Sequence, residues 1–264
     1  MAQVIALANQ KGGVGKTTSS INLAYALVQK GKRVLAIDMD PQASLTMYFG
    51  YNPDELEEQE QTLYFSLMGE KSLASIVLGD NPALLPSSIA LANAEPELVT
   101  NTFLSPPTVL KDKLREVRDQ YDFILVDRAP SLALLTVNAL TAADLILVPV
   151  KTDNLSFRGV ERLFQTVKKI QARLNPRLSI FGVLPTQFNP RHTHDNEILR
   201  TVSERLSEKG VRLFEPINRS TAFDKASMEG KPTLEISPQT PGAQVYLKVA
   251  EALLECGEVQ YEGH

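Results

Sequence analysis

Short apolar runs alternate with amphipathic segments along the chain. Residues 4–7 form an apolar run typical of a buried strand, and residues 17–30 place apolar side chains on one face of a helix. The same patterns predict strands at 33–38, 121–127, 145–150 and 178–184, and helices at 106–118, 133–143, 157–174, 195–209 and 242–255. We therefore expect an α/β fold in which a doubly wound, mostly parallel sheet is flanked by helices.

The acidic stretch at residues 52–62 interrupts this alternation, and its weak pattern predicts a solvated loop or a mobile insertion. No repeat or linker divides the sequence, so residues 1–264 are predicted to form a single domain. The apolar runs are shorter than the ~18 residues that cross a bilayer, and no signal peptide is recognisable. Together with a single cysteine, Cys256, these features predict a cytoplasmic protein without an intrachain disulfide.

A glycine-rich stretch, residues 9–18, lies between the first predicted strand and the first predicted helix and reads Asn-Gln-Lys-Gly-Gly-Val-Gly-Lys-Thr-Thr. It matches the phosphate-binding loop Gly-x-x-x-x-Gly-Lys-Ser/Thr, except that Gln10 replaces the first glycine. Lys16 is expected at the β- and γ-phosphates and Thr17 on Mg²⁺. The stretch therefore predicts a P-loop NTPase fold and an ATP hydrolase with ATP and Mg²⁺ bound by Gly12, Gly13, Val14, Gly15, Lys16, Thr17 and Thr18.

Carboxylates follow two of the predicted strands. Asp38 and Asp40 come at the end of the second strand, and Asp127 ends the strand at 121–127. The carboxyl ends of parallel strands meet at one edge of the sheet, where open α/β folds bind ligands. Because Mg²⁺ prefers oxygen ligands, these side chains are predicted to belong to the ATP site.

The loop sequence resembles the deviant phosphate-binding loop of the ParA/MinD superfamily, in which a second lysine stands at the start. The resemblance implies that Lys11 crosses a dimer interface to the partner's ATP phosphates, as an arginine finger does. Asp38-Met-Asp40-Pro-Gln is similar to the family's switch I, which implies that Asp40 positions the attacking water and Asp38 the water shell of the metal. Asp127 resembles the Walker B carboxylate, but Arg128 and Ala129 stand where the family has Thr or Cys and then Pro.

The similarity covers nearly the whole chain, which resembles a short, Soj-like ParA. It implies an ATP-dependent homodimer that binds DNA without sequence preference, associates with the nucleoid, and is stimulated by a ParB-like or other cargo adaptor. The cargo stays open among a chromosome, a plasmid, a carboxysome and a chemotaxis cluster. Arg191 matches a DNA-contacting arginine of the family, and Arg200 and Lys225 are further candidates. A second cationic cluster comprises Lys168, Lys169, Arg173 and Arg177, and a solvated surface is the alternative for both, given the net charge of −4.

Two other functions stay open at this point. A MinD-type regulator of cell division binds membranes through a basic amphipathic C-terminal helix, and residues 184–190 are somewhat similar to MinD. The C-terminal residues here are acidic, so membrane binding is not expected. An ATP-coupled biosynthetic enzyme on the same fold is disfavoured by Lys11. His192 and His194 are interpreted as surface residues rather than metal ligands.

Overall fold

The computed structural model describes residues 1–101, 105–130 and 134–261, and the side chains of these residues except 154–158 and 257–261. Its strands are β1 (Gln3–Leu7), β2 (Val34–Met39), β3 (Ala83–Leu85), β4 (Phe123–Arg128), β5 (Leu145–Lys151) and β6 (Ser179–Thr186). They form a six-stranded sheet of order β3-β2-β4-β1-β5-β6 in which every pairing is parallel. The predicted α/β sheet is thus confirmed.

Helices cover both faces of this sheet. They are α1 (Lys16–Gln29), α2 (Ser44–Tyr48), α3 (Pro53–Glu58), α4 (Leu63–Leu67), α5 (Ala94–Thr100), α6 (Val109–Lys113), α7 (Leu134–Ala142), α8 (Asn154–Arg173), α9 (Thr193–Ser207), α10 (Thr221–Met228), α11 (Thr233–Ile236) and α12 (Pro241–Tyr261). Helices α1 and α12 pack on one face, and α7, α8 and α9 pack on the other. Because helices cover both faces, β1, β2 and β4 are apolar and buried through most of their length.

Strand register brings the predicted carboxylates together. Leu7 of β1 is paired with Asp127 of β4, and Asp127 is paired with Asp38 of β2. The end of β1 leads directly into the glycine-rich loop and then into α1. The parallel sheet therefore places the loop and two carboxylates at the same edge.

Two segments differ from their predictions. The acidic stretch at 52–62 is not simply a solvated loop, because it contains α3 and buries Leu56. Asn52 caps α3 by accepting a hydrogen bond from the backbone N–H of Asp54, and Pro53 occupies the first turn. The helix predicted at 106–118 is also shorter, since α6 is followed by 3-10 turns at Leu114–Glu116 and Arg118–Gln120.

Candidate functional site

The glycine-rich loop is folded as a cradle for an anion. Gly13 and Gly15 have φ angles of 67° and 80°, in the left-handed region that favours glycine. The N-cap of α1 is Gly15, which has no side chain to accept a hydrogen bond from the first turn. That turn also carries no acidic residue. The N–H groups and the positive end of the helix are thus left to bind phosphate.

The end of β6 braces this loop from the side. The hydroxyl of Thr186 donates to the carbonyl oxygen of Val14 at 2.9 Å, and the amide of Gln187 donates to the carbonyl oxygen of Gly13 at 2.7 Å. Gln187 itself has a φ angle of 54°. The predicted site did not include Thr186 or Gln187, although both hold the loop in its anion-binding shape.

Lys16 lies inside the cradle. Its ammonium donates to the carbonyl oxygen of Lys11 at 3.2 Å, and the residue is buried. Burial lowers the pKa of Lys16 below its ordinary value, while the charge of Asp127 acts in the opposite direction. A desolvated cation at the N-terminus of a helix suits the phosphates of a nucleotide.

Lys11 is turned toward its own chain. Its Nζ lies 2.8 Å from a carboxylate oxygen of Asp153, which follows β5, and its side chain is 37% exposed. Lys151 also approaches Asp153, at 3.9 Å. Asp153 therefore holds in cis the cation that the family resemblance assigns to a partner subunit.

The two in-register carboxylates are both buried. Burial, followed by the charge of Asp127, raises the pKa of Asp38 to about 7. Asp38 accepts hydrogen bonds from the backbone and hydroxyl of Thr46, both at 2.8 Å. Burial raises the pKa of Asp127 to about 6, and the hydroxyls of Thr17 and Ser20 offset part of that rise. Two carboxylates held this way are stabilised in their ionised form by a cation.

A hydrated Mg²⁺ fits these residues. One carboxylate oxygen of Asp127 is buried without a hydrogen-bond partner, which is costly unless a ligand satisfies it. Asp40 and Thr17 lie beside it, since both alter the electrostatics of the Lys16 and Asp127 pair. The described residues contain no group of three or more His, Cys, Asp or Glu that could bind a metal, so phosphates and water would complete the coordination.

Known relatives match nearly the whole of this chain. A family model described as an AAA domain matches residues 2–180. The sporulation initiation inhibitor protein Soj of Bacillus subtilis is 37% identical, over 97% of this chain and 100% of its own. The chromosome-partitioning ATPase Soj of Thermus thermophilus is also 37% identical, over 95% of this chain and 94% of its own.

The chain belongs to the ParA/Soj family of P-loop ATPases. A solved structure supports the same fold: cobyrinic acid a,c-diamide synthase from Mycobacterium smegmatis, with bound ADP and magnesium, superposes with a TM-score of 0.82. It is 33% identical, and the match covers 98% of this chain and 96% of that one. The predicted P-loop fold and the predicted ATP and Mg²⁺ cofactors are thereby confirmed for this ParA/Soj chain.

A cavity of about 210 Å³ opens beside the phosphate cradle of this ParA/Soj chain. It combines aromatic and apolar side chains with several polar ones, and its lining is Gly15, Thr18, Thr186, Gln187, Ile217, Asn218, Arg219, Ser220, Phe223, Asp224 and Tyr246. Most of these residues were not predicted as site residues, because they lie between residues 186 and 224, far in sequence from the loop. The cavity is shaped to receive a group attached to the bound phosphates.

Arg128, one of the two departures from the ParA/Soj pattern, is buried at 1% exposure at the end of β4. Its guanidinium donates to the carbonyl oxygen of Ala129 and to the hydroxyl of Thr136 on α7. Burial lowers its pKa to about 10. Arg128 therefore ties the chain after Asp127 to the helix that follows.

The predicted DNA contacts of this ParA/Soj chain, Arg191, Arg200 and Lys225, are all exposed. Arg200 forms an ion pair with Glu204 at 3.1 Å, and Lys225 approaches Glu229 at 3.8 Å. Arg191 is exposed, and its backbone N–H donates to Asn189. The three cations remain predicted contacts, two of them with acidic neighbours that weaken their attraction for phosphate.

Two further observations concern the histidines and the length of the apolar helices. His192 lies 3.8 Å from Asp195, and neither His192 nor His194 belongs to a metal-binding group among the described residues. Within the part of the chain that the structure describes, no helix is long and apolar enough to cross a membrane.

Proposed function

We propose that this chain is a nucleotide-switched partition ATPase: two copies close on ATP, the dimer binds DNA without sequence preference, and hydrolysis releases it. Membership of a family that contains a chromosome-partitioning ATPase supports this proposal. The observation that carries it is the state of Lys11, a half-exposed cation at the mouth of the cradle held by one ion pair to Asp153. A partly exposed ion pair of this kind is weak enough to be exchanged for a phosphate.

In the proposed cycle, the phosphates of ATP occupy the loop and the nucleoside occupies the adjoining cavity. Lys16 and the N–H groups of the loop neutralise the β- and γ-phosphates. Mg²⁺, held by Thr17 and through water by Asp38 and Asp127, would supply further neutralisation of charge on the phosphates. Lys11 leaves Asp153 and reaches the phosphates bound to a second copy, so that the dimer forms only around ATP.

Hydrolysis then opens the dimer. Asp40, whose main chain is fixed by Ser87 and by the carboxylate of Asp38, is placed to orient a water molecule toward the γ-phosphate. The oxygen of that water bonds to phosphorus as the bond to the β-phosphate oxygen breaks, giving ADP and phosphate. Loss of the γ-phosphate removes the group that holds Lys11 across the interface. An adaptor that stimulates this step would set where DNA is released, and so which cargo is moved.

The test is binding to random-sequence duplex DNA with ATP, with ADP and without nucleotide, over a series of salt concentrations. We expect binding with ATP alone, weakening steeply as salt rises. Lys11→Ala should abolish this binding, whereas Lys32→Ala, at a partly exposed position in the turn after α1, should not. Equal binding in all three nucleotide states would contradict the switch.

A second candidate is an ATP-coupled biosynthetic enzyme, because a solved structure of this fold is described as a cobyrinic acid a,c-diamide synthase. Fold similarity alone does not choose between these activities. The biosynthetic function requires a pocket for a second substrate and turnover without DNA. ATP hydrolysis that rises only with an added acid substrate, with no DNA binding, would favour it over the partition function.

A further inference from the structure

Five exposed cations follow the outer face of α8 and the turn after it. We name this set the α8 cationic surface; it consists of Arg162, Lys168, Lys169, Arg173 and Arg177. Lys169 and Arg173 follow Arg162 by seven and eleven residues, which places all three within about 20° of one line along the helix. That line is ~16 Å long, or about five base pairs of a duplex at 3.4 Å each.

These cations are not neutralised locally. Among the described residues, none of the five forms an ion pair, and the neighbouring acid, Glu161, is paired with Arg205 at 3.2 Å. In contrast, two of the three DNA contacts suggested by family resemblance have acidic neighbours, Glu204 and Glu229. In a chain of net charge −4, unpaired cations gathered on one helix form a local binding surface for an anion.

The surface also has the character of a phosphate contact rather than a lipid contact. Lys168, Lys169, Ala172 and Arg173 line a shallow depression of about 490 Å³. The apolar side of α8 is packed against the sheet through Val160, Leu163, Val167 and Ile170. An interfacial membrane helix needs an exposed apolar face, which the side chains described for α8, at residues 159–173, do not form.

The position of α8 keeps this surface open in the proposed dimer. The chain enters α8 from the carboxyl end of β5, beside Asp153, and returns to the start of β6, where Ser179 pairs with Leu145. Asn175 fixes this end by donating to the carbonyl oxygens of Leu140 and Ala143 at 3.2 and 2.6 Å. The C-terminal half of α8 therefore lies at the edge of the sheet opposite to the cradle.

We propose that the α8 cationic surface is the main contact of this protein with the phosphate backbone of duplex DNA. The inference rests on the proposed DNA-binding function and assigns that binding to a different face from Arg191, Arg200 and Lys225. A dimer closed around ATP carries two copies of the surface facing away from the interface, so it can hold two duplex segments at once.

The test compares three triple variants of the full-length protein on random-sequence duplex DNA with ATP. The first variant is Lys168→Gln/Lys169→Gln/Arg173→Gln, and the second is Arg191→Gln/Arg200→Gln/Lys225→Gln. A third, Lys30→Gln/Lys231→Gln/Lys248→Gln, removes the same charge from exposed, ion-paired lysines elsewhere. Thermal unfolding and ATP binding of each variant establish that the fold and the nucleotide site are intact.

We expect the first variant to bind at least tenfold more weakly near 0.1 M salt, with a salt slope shallower by about 2.7, because three phosphate contacts are lost. The second and third variants should stay within about threefold of the wild type. The inference is overturned if the first variant binds as the third does, or if only the second loses affinity. If the wild type binds no DNA with ATP, the proposed function itself fails, and binding to vesicles of phosphatidylserine instead would assign the surface to membranes.

Discussion

The two ends of the sheet differ in how their charged side chains meet solvent. At the cradle, Lys16, Asp38 and Asp127 are buried, and the strand register and the hydrogen bonds of the loop fix their positions. On the α8 cationic surface, the charges stand in water on flexible side chains. Chemistry at the cradle therefore depends on geometry that few residues can satisfy, whereas binding by α8 depends on summed charge. Single substitutions should therefore be severe at the first end and mild at the second.

The largest effect is expected for Lys16→Ala, which removes the desolvated cation of the cradle. Turnover of ATP should fall about 100-fold or more, since a preorganised group facing developing charge is lost. Binding of a fluorescent ATP analogue and steady-state hydrolysis measure the loss. Lys169→Ala is the matched control on α8 and should leave both values unchanged; a comparable loss there would break the contrast between the two ends.

A smaller effect is expected for Arg128→Thr, which restores a residue type typical of the family. The bonds to Ala129 and Thr136 are lost from the interior, so the free energy of unfolding should fall by about 1–3 kcal/mol. Turnover should change more than ATP affinity, because the tie acts on the segment after Asp127. Urea unfolding measures the loss of stability, with Arg177→Thr on the exposed surface as the control. Equal destabilisation of both variants would contradict a buried role for Arg128.

The pH dependence tests the raised pKa values of Asp38 and Asp127, about 7 and about 6. As pH falls from 8 to 5.5, both carboxylates take up protons and Mg²⁺ affinity should weaken, by up to about tenfold per pH unit for each carboxylate. Without metal, the stability of the fold changes with pH in the opposite direction. From about pH 4 to 7 the folded chain binds more protons than the unfolded chain, so its free energy of unfolding should decrease as pH rises.

Calorimetric titration with MgCl₂ in the presence of ATP, and urea unfolding of the metal-free protein, measure these two trends. In Asp38→Asn the Mg²⁺ affinity should depend less steeply on pH, since one titrating group is removed. A Mg²⁺ affinity that stays constant from pH 8 to 5.5 would show that these carboxylates do not take part.

The smallest effect is expected for Asp153→Asn, which releases Lys11 from its ion pair. A partly exposed pair of this kind is worth roughly 0.2–1 kcal/mol, so ATP-dependent dimerisation should strengthen by no more than about fivefold for each of the two subunits. Sedimentation velocity over a protein dilution series measures it. Asp119→Asn, at an exposed position, is the control, and weaker dimerisation of Asp153→Asn would mean that Asp153 supports the closed dimer instead.

Sequence patterns predicted most of the sheet and nearly all of the cradle for a physical reason. Buried parallel strands read as continuous apolar runs, and left-handed turns such as that at Gly15 favour glycine, so both leave a local signature. Two of the missed elements illustrate its absence: β3 has only three residues, and α3 is specified by its cap at Asn52 rather than by a periodic face.

The rest of the candidate site could not be predicted because it depends on contacts between distant segments. Thr186 braces Val14 across 172 positions of sequence, and Lys11 meets Asp153 across 142. Whether Arg200 is neutralised depends on its neighbour Glu204 and its rotamer, which the family resemblance did not reveal. Burial of Arg128 is likewise a tertiary fact, since an arginine at the end of a strand is usually exposed.

In the proposed function, ATP converts this chain to a dimer through Lys11. The most direct measurement is the molar mass in solution by light scattering, with Mg²⁺ and ATP, in an Asp40→Ala background that slows hydrolysis. We predict twice the chain mass of 29.1 kDa with ATP, and the single-chain mass with ADP or in the added variant Lys11→Ala. A mass that stays at one chain with ATP, or that doubles equally without Lys11, would contradict the switch.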